Sequence, residues 1–490
     1  MSSFALKKLA GETAIYGMST ILARFINFLL VPLYTRVLAT SSYGELSDAM
    51  AYIAILQVIL VLGLETGCFR FANTNEDPKR VFSSALSLVG IISVVTFVLF
   101  SVFSGQLASL YGYEHISICF VYIGGILASD AFTAILFARL RFEHKALKFA
   151  TFKTIKILTE TVSNLILFLV IPSYLKAHPD SFLTTFIPPT PDFSYVIFAI
   201  FLSCVVAILL FIPELLKFRF KIDKPLLGKM LAYSLPLMIA GLPGIMNDML
   251  DRLLFRFILP DAIWKSELGI FTAGARLAVI MMLFIQMFRF AAEPFFFAKA
   301  SEKDSRKLYS EVMNHFTAFG MFIFLGVMLF IDIIGLFLGK DFRGGISILP
   351  VMLMAYLLLG ITYNVSMWYK LSGKTNIAIY ITSLGLVVTL IVNIGFMPAY
   401  SFHASAWGHL LSYLVMLIVS TILGNKYYPI PYKWLRVLLY ISVGLALYGI
   451  SLLLPQMHLV AKFAIHSVLI LIYIFTYLKI EKISLWKLKL

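Results

Sequence analysis

Charge is scarce in this sequence. Of its 490 residues only 13% are Asp, Glu, Lys or Arg, against 60% hydrophobic residues and a mean hydropathy of +0.93. No soluble domain can bury that much apolar surface, so a water-soluble enzyme or binding module is excluded. Cysteine is rarer still. Cys68, Cys119 and Cys204 are scattered in or beside apolar stretches with no pairing or metal-ligand spacing, which argues against a disulfide scaffold and for core residues. There is no GxxxxGK[ST] stretch, so no ATP hydrolysis is expected. Acids are few, 25 against 40 basic residues, and the external acids Asp180 and Asp192 stand apart without metal spacing. That opposes a membrane glycosyltransferase or ligase, which needs a sizeable external catalytic loop or a paired acidic metal site.

What the sequence has in abundance is apolar runs of about 20 residues, the length that crosses a ~30 Å hydrocarbon core. About fourteen recur, near 14–37, 45–66, 81–104, 116–138, 150–171, 194–216, 230–257, 267–290, 312–338, 346–369, 376–398, 404–423, 434–454 and 460–478. The formal charge of +15 is distributed by loop. Lys7 and Lys8 precede the first span. Lys79 and Arg80 follow the second, Arg139 to Lys148 the fourth, and Lys217, Arg219, Lys221, Lys224 and Lys229 the sixth. The pattern continues through Lys299, Lys303, Arg306 and Lys307, then Lys370 and Lys374, then Lys426, Lys433 and Arg436, and last Lys479, Lys482, Lys487 and Lys489, while the other side is nearly bare. The positive-inside rule then predicts cytoplasmic termini and an even number of spans. The basic face also suits anionic lipid head groups, and nucleic acid is not implied. The N-terminal stretch MSSFALKKLAGETAIYGMST runs on to spanning length, so it is expected to be a first helix and not a signal peptide.

The tetrapeptide FRFA occurs twice, from Phe69 and from Phe288, each time closing an apolar run before a charged stretch. Upstream, TRVLATSSYGELSDAMAY precedes the first copy and FRFILPDAIWKSELGIFTAGARLA the second, which aligns Arg36 with Arg256 and Gly44 with Gly269. The expected fold is therefore all-α and polytopic, with two six-helix lobes in the same orientation. These are an N-terminal lobe over 1–223 and a C-terminal lobe over 224–425, with two extra helices over 426–490. Parallel repeats about an axis along the membrane normal are a transporter architecture, with a substrate site near mid-membrane between halves.

At these residues the chain resembles a known family. The runs YGMSTILARFINFLLVPLYTRVLATSSYGELSDAM, LGLETGCFRF and DRLLFRFILPDAIWKSELGIFTAGARLA are similar to the polysaccharide transporters, the oligosaccharide flippases of the superfamily that also holds multidrug and toxin extruders and lipid II flippases. The resemblance implies export of an undecaprenyl-pyrophosphate-linked oligosaccharide from the cytoplasmic to the periplasmic leaflet of a bacterial inner membrane. It implies no catalysis and no cofactor, with Na⁺ or proton coupling allowed. Its implied partners are the lipid-linked oligosaccharide, membrane lipids, and a polysaccharide polymerase with chain-length machinery, around a monomer. A lipid II flippase, a multidrug extruder and a membrane glycosyltransferase or ligase remain as alternatives. The embedded arginines oppose the extruder, whose cationic cargo favours an acidic cavity.

Candidate site residues follow from the cost of charge in hydrocarbon, ~2.5–3.5 kcal/mol each on insertion scales. Arg24 shares a helix face with Thr20 and Asn27, and Arg276 lies in the eighth span one turn after Thr272. Lys153, Lys156 and Glu160 form a polar stripe on the fifth. Arg24, Arg276, Asn27, Lys153 and Lys156 are read as a basic cavity for pyrophosphate. The competing reading is a set of ion pairs, Arg24 with Asp48 and Lys156 with Glu160, or snorkelling lysines. On span seven, Asn247, Asp248 and Asp251 are candidate ion-coupling ligands, with Arg252 as a local partner of Asp248, and Pro236, Gly241, Pro243 and Gly244 are expected to interrupt the helix. Arg70 and Arg289 of the FRFA copies are read as gate or scaffold residues at the cytoplasmic surface. Asn364 is expected to bond between helices. His403 and His409 are expected to anchor at the interface.

Overall fold

The structure, a computed structural model, describes residues 3–74, 76–112, 116–218, 220–299, 304–455 and 458–482. Arg219, Lys303, Lys487 and Lys489 of the basic pattern lie outside the described residues. The described chain is all-helical, and fourteen of its helical stretches are long and apolar enough to cross a membrane. The protein is therefore a multi-pass membrane protein, as its hydropathy requires. The chain divides into two compact units, Met1–Thr272 and Ala273–Leu490.

The first unit contains α1 (Ser3–Leu29), α2 (Val31–Val37), α3 (Thr40–Val61), α4 (Leu64–Ala72), α5 (Pro78–Val102), α6 (Ser104–Tyr111), α7 (Ile118–Phe142), α8 (Ala146–Leu169), α9 (Ile171–Ala177), α10 (Phe193–Leu215) and α11 (Lys224–Ile258), and it ends within α12 (Trp264–Leu277). Aspartates set several starts. Asp77 caps α5 by accepting from Lys79 N at 3.0 Å with Pro78 in the first turn, and Asp223 caps α11 by accepting from Leu226 N at 3.2 Å. Asp223 also takes a hydrogen bond from Arg80, which holds its carboxyl below the usual carboxylate range and joins the starts of α5 and α11. α7 is the core helix of this unit. It packs on α3, α5, α8 and α10, and its side chains Leu127, Ala131 and Ile135 are fully buried.

The second span is broken. Leu62 and Gly63 both take left-handed backbone angles, at φ 54° and 66°, so α3 stops and α4 restarts at a new angle. A methyl group on Gly63 would sit 2.6 Å from the Ser234 carbonyl oxygen, and one on Gly67 would sit 2.2 Å from Ser234 Oγ, so α4 lies directly on α11. Pro236 and Pro243 do not interrupt α11, contrary to the expectation from sequence. The helix runs unbroken for 35 residues, because a proline removes one ladder bond and leaves the others in place.

The second unit contains α13 (Val279–Lys299), α14 (Ser305–Leu329), α15 (Ile331–Ile334), α16 (Leu349–Val365), α17 (Met367–Leu371), α18 (Ile377–Tyr400), α19 (Phe402–Tyr427), α20 (Trp434–Leu452) and α21 (Leu459–Ile480). α16 and α18 pack on α19, while the last two helices pack on α14, where Tyr473 donates to the Ala318 carbonyl at 3.0 Å. Trp368 of α17, fully buried, donates to Ser420 Oγ at 3.2 Å. The Asn364 side chain bonds within its own helix, Nδ2 to the Gly360 carbonyl at 3.1 Å, while its backbone carbonyl accepts from Tyr432 at 3.3 Å. His403 meets Ser347 at 2.9 Å and His409 is buried.

Gly63→Ala should lower the stability of the detergent-solubilised protein by about 1–3 kcal/mol, because it adds both backbone strain and a clash. Gly241→Ala, inside α11 with nothing near its Cβ position, should be neutral or stabilising by up to about 1 kcal/mol. A thermal melt of the two variants side by side checks the contrast.

Candidate functional site

At the end of the first unit remote from its basic loops, α3 and the start of α12 cross with their backbones touching. A methyl on Gly44 would lie 1.8 Å from the Lys265 carbonyl oxygen, and a methyl on Gly269 would lie 2.0 Å from that of Thr40. The contact is reciprocal: Gly44 meets Lys265 and Gly269, Gly269 meets Thr40 and Gly44, and the Ser47–Thr272 hydrogen bond, at 2.7 Å, has the same 225-residue separation as Gly44 and Gly269. Such a self-matching pattern is what two equivalent segments make across a two-fold axis. Thr40 also donates to Ser266 Oγ at 3.2 Å. Small residues permit this approach and its short polar links hold it.

Two ion pairs flank the crossing. Lys265 Nζ lies 2.6 Å from Glu45 Oε1, and one turn deeper Arg256 Nη1 lies 3.3 Å from Asp48 Oδ2. Arg256 also donates to the Tyr111 carbonyl at 2.6 Å, and its guanidinium sits over the rings of Tyr111 and Trp264 at 4.6 and 5.0 Å. The Asp48–Arg24 pair allowed by the sequence is thereby replaced. Asp48 belongs to Arg256, because α3 packs against α11.

A second charged group lies at the middle of α7. Asp130 pairs with Lys156 of α8, and Cys204 Sγ of α10 lies 3.5 Å from the same oxygen, Oδ1. Lys153, one turn before Lys156, has its ammonium 4.3 Å from the centroid of the Phe137 ring, and the Asp130 carboxylate attracts it as well. Asp130 escaped the sequence analysis. Its signal was present as a lone acid in the apolar run ILASDAF, which at mid-bilayer demands a cation. Lys156 lies ten residues, about 15 Å, into α8, so the carboxylate explains it better than snorkelling does.

The other candidates are distributed as follows. Arg24 is exposed on α1, which packs on α8, and Asn27 is half-buried one turn further on. Arg276 is half-buried in the second unit. On α11, Asn247 and Asp251 are buried, Asp248 is exposed, and Arg252 is half-buried with its Nε unbonded among the described residues. Glu160 stays half-buried on α8, and its carbonyl accepts from Asn164. The FRFA arginines behave alike, each within its own unit. The Arg70 guanidinium lies 3.9 Å from the Tyr233 ring centroid and that of Arg289 lies 4.1 Å from Tyr363. Beside each is a carboxylate bridge, Arg141 to Glu65 at 2.7 Å in the first unit and Lys370 to Glu293 at 2.6 Å in the second.

Fourteen candidate spans with charges embedded in pairs define a polytopic, all-helical membrane fold. In fold the chain is similar to the lipid II flippase MurJ in its inward closed conformation, with a TM-score of 0.73 at 12% identity, covering 95% of this chain and 98% of that one. It is also similar to an inward-facing multidrug resistance MATE family transporter (TM-score 0.58, 14% identity, 86% and 99% covered) and to a mutant of the Vibrio cholerae MATE transporter VcmN (0.57, 13%, 86% and 98%). Residues 9–299 match the family described as polysaccharide biosynthesis protein, and the chain belongs to that family. No curated protein matches it in sequence.

Removing one member of the Asp130–Lys156 pair should cost more than the ~0.2–1 kcal/mol of an exposed pair and approach the ~3–5 kcal/mol of a buried one, since hydrocarbon cannot solvate the remainder. Asp130→Asn should therefore lower the melting temperature more than the double variant Asp130→Asn, Lys156→Gln. Equal melting temperatures for the single and double variants would show that the pair is not coupled.

Proposed function

We propose that the protein is a flippase that moves an undecaprenyl-pyrophosphate-linked oligosaccharide from the cytoplasmic to the periplasmic leaflet of a bacterial inner membrane, by alternating access and without catalysis. Its termini are cytoplasmic, it acts as a monomer, and it hands its cargo to a polymerase and chain-length machinery. The observation that carries this reading is the cluster of cations inside the spans of a polysaccharide-family chain. Lys153 and Lys156 both face Asp130, Lys153 also lies against the Phe137 ring, and Arg24 is exposed on the adjacent α1. A positively charged, partly wet surface suits a diphosphate and repels a cationic drug.

In this reading Arg24 and Arg276 grip the pyrophosphate while Asn27 and Lys153 line its path, and the polyprenyl tail stays in lipid. Asn247, Asp248 and Asp251 on α11 bind the coupling Na⁺ or proton. Arg70 and Arg289 act as scaffold at the cytoplasmic surface, each on its tyrosine. Similarity to a lipid II flippase concerns fold at 12% identity, so the family match favours a polysaccharide repeat unit over a peptidoglycan precursor.

The test is the accumulation of lipid-linked repeat units on the cytoplasmic leaflet in cells expressing variants at normal levels. Arg24→Ala should remove a charge-assisted contact worth ~1.5–3 kcal/mol and slow export by about tenfold or more. Arg24→Lys should rescue only partly, because the two-pronged guanidinium grip is lost. Normal export by the Arg24→Ala, Arg276→Ala double variant would overturn this assignment of the phosphate site.

A further inference from the structure

Asp48 is the most deeply enclosed acid of the crossing, with 2% of its side chain exposed. One oxygen, Oδ2, accepts from Arg256 at 3.3 Å, long beside the ~2.7–2.9 Å of a well-made charge-assisted bond, and the other, Oδ1, is buried without a hydrogen-bond partner among the described residues. A carboxylate half-satisfied in this way is costly to keep ionised once its cation moves. Arg256 is differently placed: it has the Tyr111 carbonyl and two aromatic rings to hold it whether or not Asp48 carries charge. Parting α3 from α11 would therefore strand the acid and not the base.

Among the described residues, the groups around Asp48 are few. Glu45 and Tyr52 flank it on its own helix, Arg256 faces it from α11, Lys265 from α12, Tyr111 from α6 and Cys119 from α7. Lys265 is engaged by Glu45. Asp48, Tyr52, Leu107, Tyr111, Cys119 and Phe193 line a cavity of about 90 Å³, roomy enough to hold water beside the acid. The backbone crossing at Gly44 and Gly269 is one turn away.

We propose that Asp48 is a proton-binding site that locks this crossing. Ionised, it ties α3 to α11 through Arg256 and the Gly44–Gly269 contact stays shut. When a proton from the outer aqueous side adds to Oδ1, the carboxyl becomes neutral, Arg256 stays on Tyr111 and Trp264, and α3 can leave without abandoning a buried charge. The proton is released when the helices close again and the pair reforms. Its place in a transport cycle rests on the alternating-access reading above, whereas the lock itself is a property of the first unit.

The experiment uses the full chain in lipid nanodiscs, spin-labelled at Ala39→Cys and Ala262→Cys, exposed positions just before α3 and α12. The three native cysteines are buried, and the chain without added cysteines serves as the labelling blank. Pulsed-resonance distances between pH 8 and pH 5 should show one short population at high pH. A longer population should grow as pH falls, by up to about tenfold in ratio per pH unit for a single proton. Asp48→Asn should show the longer population at every pH, and Asp48→Glu, which keeps the acid, should retain the pH response. A distribution that ignores pH in the Asp48 protein, or the same response in Asp48→Asn, would overturn the lock. Should Asp48→Asn fail to fold, loss of the response in Asp48→Glu has the same force. A pH-dependent lock in a protein whose loss leaves no lipid-linked oligosaccharide behind would instead sink the cargo reading alone.

Discussion

Hydrocarbon cannot solvate charge, so each ionised group among the spans has to be balanced by something within reach. That constraint orders much of what the structure does with its few polar residues. Asp130 draws Lys156 across from α8, Asp48 draws Arg256 across from α11, and Glu65 and Glu293 each take a cation from a neighbouring helix. Aromatic faces add to the acids, as with Lys153 on Phe137, Arg70 on Tyr233 and Arg289 on Tyr363, the last also 3.5 Å from Glu293. Each such link joins two helices at a defined height, so the pairs set register as well as neutralise charge.

The second constraint is closeness. Without a hydrophobic drive between helices in lipid, association depends on contact, and contact depends on small side chains. Gly44 and Gly269 bring two backbones together, and Gly63 and Gly67 do the same for α4 on α11. The polar links Ser47–Thr272 and Thr40–Ser266 are short because the glycines come first.

The spans and the basic loops were legible in the sequence because hydropathy and charge are properties of a single stretch of chain. The ion pairs were not. A helical repeat suggests partners one turn away or on the neighbouring span, and so offered Glu160 for Lys156 and Arg24 for Asp48, whereas the acid that holds Lys156 is 26 residues away and the base that holds Asp48 is 208 away. Asp130 was overlooked since a lone acid in an apolar run has no companion in its own segment. The alignment of Gly44 with Gly269 was readable, but an alignment states equivalence and not contact. That the two touch was visible only in three dimensions.

That contact has a consequence for how charge can be arranged on it. Equivalent residues that meet across a two-fold axis would, if chemically identical, set like charges face to face. Glycines and hydroxyls tolerate the symmetry and keep it: Gly44 meets Gly269 and Ser47 meets Thr272. The ionisable positions break it. At the same separation Glu45 corresponds to Ile270 and Asp48 to Ala273, so both acids sit on α3 while the cations they meet, Lys265 and Arg256, come from α12 and α11. A symmetric backbone crossing thus carries an asymmetric charge distribution, which makes attraction across it possible and places both acids of its ion pairs on one helix.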